Sequence, residues 1–133
     1  MPTIIRKSLP AIVETRRGMY HHAVNWQVRA SVWSPPTDIY ETADKFVARV
    51  EIAGMGEDDF EVAIENNILM ISGSRPDLNE RRAYHQMEIH FGKFEIAVEI
   101  PIPVEAEGAT AEYTSGLLTI RLPKASPKNL KVE

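Results

Sequence analysis

The sequence predicts an all-β fold, an immunoglobulin-like antiparallel β-sandwich flanked by an N-terminal arm and a short C-terminal tail. Three observations carry the prediction. The middle of the chain reads as successive runs of apolar–polar alternation, the period of a half-buried strand. Those runs are separated by turn-forming Gly, Asn and Pro, and no segment between Pro35 and Lys124 keeps a helical period. Finally, 133 residues is the length of a single domain, and a sandwich of about 90–100 residues fits inside it.

The strands follow in order. Lys45 to Ile52 alternates, with Phe46, Ala48, Val50 and Ile52 on one face. Gly54-Met55-Gly56 and the acidic Glu57-Asp58-Asp59 break it. Phe60 to Glu65 alternates again and is joined to Ile68–Ser72 by Asn66-Asn67. Asparagine tolerates positive φ, so this pair predicts a two-residue primed turn and a β-hairpin. Gly73 to Arg82 is polar, contains Pro76 and reads as a loop, with a short strand over Tyr84–Glu88. Phe94 to Ile100 is the clearest alternation in the chain and ends at Pro101 and Pro103. Ala109, Ala111 and Tyr113 share a face; Ser115-Gly116 turns the chain into Leu118, Ile120 and Leu122. Each strand has one apolar face, and a second sheet buries such faces together. A sandwich of this kind keeps open edges, whose unpaired backbone groups invite another strand.

The arm, residues 1–34, ends at Pro35-Pro36. Ile4, Ile5, Leu9, Ile12 and Val13 suggest a short helical face interrupted by Pro10, and Trp26, Val28, Ala30 and Val32 alternate like a strand. Both tryptophans, Trp26 and Trp33, lie in this arm with Met19 and Tyr20. Large apolar groups in a weakly patterned segment call for a partner surface. The tail, residues 125–133, is polar except for Leu130 and Val132, whose i, i+2 spacing puts both on one side of an extended chain.

Composition narrows the function. With 44% hydrophobic and 26% charged residues the chain is not disordered. It has no cysteine, hence no disulfide and no thiolate nucleophile or ligand, which fits a reducing cytoplasm. The net charge of −4 is divided: residues 1–34 carry +4, residues 35–124 carry −9 and residues 125–133 carry +1. An acidic body argues against nucleic acid as a partner, because phosphate needs a basic face. Leu9–Val13 is too short and too charged in its flanks for a signal peptide or a stable membrane insertion. No glycine stands in a phosphate-loop frame. His21-His22 and His85…His90 lack metal-ligand spacing, and Ser72 and Ser115 read as turn serines without a nucleophile-elbow frame. The expectation is a protein that is not an enzyme, with no catalytic residue, no metal and no cofactor.

Ala111-Glu112-Tyr113-Thr114-Ser115-Gly116-Leu117-Leu118 resembles the A-x-x-x-N-G-V-L signature of the small heat shock proteins, the α-crystallin/Hsp20 family. The hairpin positions that carry it are Ala111, Gly116 and Leu118. Thr119–Lys124 is similar to that family's closing strand, Phe91-Gly92-Lys93-Phe94 to its aromatic-G-x-F, Ile100-Pro101 to its L-P, and Pro36–Thr42 to its P-x-D-I-Y-E-T opening. The resemblance covers about two-thirds of the chain and implies an α-crystallin domain over residues 35–124. It also implies an ATP-independent holdase chaperone that binds non-native client proteins and works as a homo-oligomer built from dimers. By the same resemblance, a strand around Arg82, Ala83, Tyr84, His85, Gln86 and Met87 is exchanged between dimer partners. Leu130-Lys131-Val132 is similar to the family's I-x-I/V tail, which docks at the sandwich edge of another subunit. Met19, Tyr20, Trp26 and Trp33 are then the candidate client contacts. Ile89 and Ile96 stand where the family usually has arginines, Ala53-Gly54-Met55 replaces its L-P-G, and Ser115 its Asn. The alternative reading is a p23-like co-chaperone or adaptor, a related sandwich that lacks the signature and the tail.

Overall fold

The computed structural model describes residues 32–125 together with the strand Thr3–Ile5. It is the expected antiparallel sandwich. The strands are β1 (Thr3–Ile5), β2 (Thr37–Glu41), β3 (Lys45–Glu51), β4 (Phe60–Glu65), β5 (Ile68–Arg75), β6 (Gly92–Glu99), β7 (Thr110–Thr114) and β8 (Leu117–Pro123). One sheet runs in the order β1-β7-β8-β3-β2 and the other β4-β5-β6. Two single 3-10 turns, Glu57–Asp59 and Ala106–Gly108, are the helical pieces among the described residues.

The alternation read from the sequence becomes the core. Phe46, Ala48, Val50 and Ile52 of the first sheet face Phe60, Val62, Leu69, Ile71, Phe94 and Ile96 of the second, with Ala111, Leu118, Ile120 and Leu122 beside them. Val47, Ala63 and Met70 are also buried although they lie on the opposite faces of their strands. Val47 is paired between Tyr40 and Arg121, and Met70 between Ala63 and Ala97, so flanking side chains cover them.

The two hairpin turns are alike. Asn66 and Asn67 have φ of 54° and 63°, and Glu65 pairs with Ile68 across them. Ser115 and Gly116 have φ of 54° and 80° between the paired Thr114 and Leu117. Two consecutive positive φ values define the type I′ turn that suits strand twist. Gly73 answers a different need. A Cβ there would lie 2.2 Å from the Asp59 carbonyl oxygen and 2.9 Å from the Phe94 ring. Gly73 is paired between Phe60 and Phe94, so the missing side chain is the space those two rings close over, 6.3 Å apart and edge to face.

The sequence-predicted strand over Tyr84–Glu88 is not formed within the chain: residues 76–91 have no strand partner. The Ile4-Ile5 region, expected to line a helical face, instead forms β1 on the edge of β7.

Candidate functional site

Two features of the sandwich are open to another chain: the loop between β5 and β6, and the strand edges. The loop carries large apolar side chains into solvent, with Leu78 72%, Met87 66% and Ile89 63% exposed, and Tyr84 and Phe91 partly so. Solvent-facing groups of this size in one segment mark an interaction surface. In an extended stretch His85, Met87 and Ile89 share one side and Arg82, Tyr84 and Gln86 the other. Strand β2 is an outer edge of its sheet, and its Ile39 and Tyr40 are exposed.

Arg82 organises the first half of the loop. Its guanidinium forks onto Asp77 (Nη2–Oδ1 2.9 Å, Nη1–Oδ2 3.1 Å), donates from Nε to Glu80 at 3.0 Å and from Nη1 to the Tyr84 hydroxyl at 2.6 Å. The hydrogen bond from Arg82 holds the Asp77 carboxyl below the usual carboxylate range, and the same pairing raises Arg82. Leu78 also donates its backbone N–H to Asp77 at 2.7 Å.

Arg75 fixes the loop's two roots. It ends β5 and donates from Nε (2.8 Å) and Nη2 (2.5 Å) to the His90 carbonyl, and from Nη1 to that of Ala53 (3.3 Å). Its guanidinium lies 4.7 Å from the Trp33 ring centroid and 5.4 Å from that of Phe91. Trp33 stacks on His90 at 5.1 Å, donates its indole N–H to the Gly92 carbonyl at 3.2 Å and pairs its backbone with β6 around Phe94. The end of the arm and both ends of the loop thus meet at one cluster. It borders an open cleft of about 520 Å³ whose wall includes Glu51, Glu88 and Ile89.

On the opposite side of the sandwich, the edges of β4 and β7 flank an apolar seam. Phe60 of β4 and Tyr113 of β7 are 5.0 Å apart, and Ile64, Ala109 and Tyr113 are half-buried against the core. Tyr113 donates its hydroxyl to the Ile52 carbonyl at 2.8 Å and accepts from the Met55 N–H at 3.3 Å, fixing the β3–β4 connection.

The chain matches the Hsp20/alpha crystallin family model over residues 38–133. The chain belongs to the small heat shock protein family. It is 32% identical over 102 residues to small heat shock protein C4 of Rickettsia felis, covering 75% of this chain and 63% of that one. The aligned region is therefore less than two-thirds of that relative's length. Among solved structures it resembles the Xanthomonas axonopodis hspA (31% identity, TM-score 0.66, covering 71% of this chain and 97% of that one). It also resembles a small heat-shock protein from Xylella fastidiosa (29% identity, TM-score 0.64, 77% and 99%).

The residues singled out in the sequence of this small heat shock protein are distributed as follows. Ala111 and Leu118 are buried and Gly116 makes the turn, its carbonyl accepting from the Ile52 N–H at 2.8 Å. Arg82, Ala83, Tyr84, His85, Gln86 and Met87 are all exposed in the loop. Trp33 is half-buried against the sandwich. Met19, Tyr20, Trp26, Leu130 and Val132 lie outside the described residues. Ile96 is buried in the core and Ile89 exposed on the loop, so the two family-arginine positions have different surroundings. Sequence reasoning missed Arg75, because a lone arginine before Pro76 carries no spacing signal. Among the described residues no group of three or more His, Asp or Glu is placed to hold a metal ion, and no helix is long and apolar enough to cross a membrane.

Proposed function

We propose that this chain is an ATP-independent holdase that captures partly unfolded proteins in the cytoplasm and works as a homo-oligomer of dimers. The observation that carries the reading is the pairing of a firm, well-filled sandwich with an exposed apolar loop and open strand edges. An edge with unpaired backbone groups recognises extended chain of any sequence, and apolar side chains beside it add non-directional affinity. In the dimer, Arg82–Met87 of one copy adds as a strand to the Thr37–Glu41 edge of the other, where Ile39 and Tyr40 meet Met87 and Ile89. The small heat-shock protein from Xylella fastidiosa has a distinct high order structure, which supports assembly beyond the dimer here. The arm, residues 1–34, supplies client contacts through Met19, Tyr20, Trp26 and Trp33, and the tail, residues 125–133, docks Leu130 and Val132 on the sandwich edge of a neighbour. From Pro123 to Leu130 the chain spans at most about 24 Å, enough for a subunit in contact. Each such side chain buried contributes about 1.5–3 kcal/mol, which suits promiscuous, reversible capture. Light scattering of a heat-labelled client tests the activity. Suppression without nucleotide at near-stoichiometric ratio is expected; no suppression at several-fold excess of chaperone rejects it. Loss of suppression on deleting residues 1–30 assigns the client contacts to the arm, and unchanged suppression removes Met19, Tyr20 and Trp26 from them.

A further inference from the structure

Every N–H of the Arg82 guanidinium is engaged. Nε donates to Glu80, Nη1 to Asp77 and Tyr84, and Nη2 to Asp77 and, at 3.1 Å, to the Leu78 carbonyl. The guanidinium also lies 5.8 Å from the Tyr84 ring centroid. Further along, Gln86 donates its side-chain amide to Glu88 at 2.8 Å. Arg82–Tyr84 and Gln86–Glu88 are both i, i+2 pairs, the spacing at which side chains of an extended chain share a side. The even-numbered side of residues 82–89 is thus a polar ladder that satisfies itself. The odd-numbered side carries Met87 and Ile89, both well exposed.

The main chain is left open by this network. Its backbone partners are the N–H and carbonyl of Leu78, and among the described residues no hydrogen bond uses an N–H or C=O of residues 82–89. The network can therefore stay closed while that main chain pairs with another strand; it prepares pairing and does not compete with it. The edge strand β2 offers a matching surface. Its Ile39 pairs with Ala48 of the core, so it lies on the inner face of its sheet, yet it is 41% exposed.

We infer that the Arg82 turn is a positioning device for strand exchange: it holds residues 82–89 extended with the polar ladder turned outward, so that Met87 and Ile89 cover Ile39 on the inner face of a second copy's β2 edge. This rests on the exchange reading above and names what orients the strand. Side chains alternate along a strand, so a segment docked the other side up would leave Met87 and Ile89 in solvent. A loop already held in its bound form also loses less freedom when it docks.

Native mass spectrometry of the full chain over a dilution series reads the dimer dissociation constant. Arg82→Ala is expected to raise it roughly tenfold, the effect of having to immobilise one or two long side chains on docking. Asp77→Ala is expected to raise it as far, and the double variant no further than either alone. Arg82→Lys keeps the charge without the fork and falls between. Melting temperatures stay within about 2 °C of wild type, because neither residue belongs to the core. An Arg82→Ala chain that dimerises within about twofold of wild type overturns the inference, and so does a double variant whose loss is the sum of the two. Met87→Asp, measured alongside, separates the failures. If it breaks the dimer while Arg82→Ala does not, the segment docks without this device. If Arg82→Ala weakens the dimer and Met87→Asp does not, the odd-numbered side is not the docking side and the inference falls. If neither weakens it, the exchange reading falls as well.

Discussion

Replacing Arg75 by alanine frees the roots of the β5–β6 loop without touching the core. Arg75 gives Nε and Nη2 to one acceptor, the His90 carbonyl, and a longer bond to Ala53. It also lies against Trp33 and Phe91. A hydrogen bond to a charged donor contributes about 1.5–3 kcal/mol, and solvent at this exposed site favours the lower end. Each exposed cation–π contact adds about 0.5 kcal/mol. The loss is about 2.5 kcal/mol, which corresponds to a roughly 70-fold rise in local opening. The groups that report it are the Trp33 backbone N–H bonded to Lys93, the Glu95 N–H bonded to Trp33, and the Trp33 indole N–H on Gly92. Native-state hydrogen exchange read by NMR, with Trp26→Phe isolating the Trp33 indole signal, follows all three. Arg75→Lys keeps the charge but not the fork, and falls between wild type and alanine. Exchange of these three protons within about twofold of wild type in Arg75→Ala refutes the reasoning that this guanidinium ties arm and loop together.

Other outcomes follow from the same coordinates. Gly73→Ala forces a Cβ onto the Asp59 carbonyl and the Phe94 ring; a loss of at least about 2 kcal/mol is expected, and a melting temperature within about 2 °C of wild type counts against it. Ser115→Asn places a residue tolerant of positive φ at φ 54° and raises stability in urea by a few tenths to about 1 kcal/mol; a decrease contradicts the turn assignment. The Asp77 carboxyl is held below its ordinary value of 3.8 by Arg82. The Asp77–Arg82 pairing is thus complete above that value and is lost as pH falls through the lowered one. A carboxyl-carbon NMR titration is expected to show Asp77 moving back toward 3.8 in Arg82→Ala, and an unchanged titration removes Arg82 as the cause.

The legible part of the fold was what burial writes into alternation. β3, β4, β6 and β8 turn one apolar face to the core and so show apolar–polar alternation, while β5, buried on both faces over Leu69–Ile71, reads as a continuous apolar run; the two turns announce themselves through Asn66-Asn67 and Ser115-Gly116. β2 is exposed along nearly all of its length, so its sequence has no apolar period and only its similarity to the family's opening motif marks it. β1 is three residues long, too short for a period to separate strand from helix. The loop segment Tyr84–Glu88 has strand-like residues but pairs with no strand among the described residues. The turn of residues 57–59 was visible only as a break, because Gly56 and Asp59 close it through a local 2.7 Å hydrogen bond rather than through any apolar pattern. At the site, the segment Arg82–Met87 was marked by the family resemblance alone, and Leu78, the most exposed of the large apolar residues, lies in a stretch that reads as polar. The Arg75–Trp33–His90 cluster was not, because it joins residues far apart in sequence through backbone carbonyls.

The most direct test of the chaperone account is the native mass of the full chain beside a chain ending at Asn129. The account predicts a large assembly that falls to dimers when Leu130–Glu133 is removed. A monomer in both cases contradicts it and favours an adaptor that works alone.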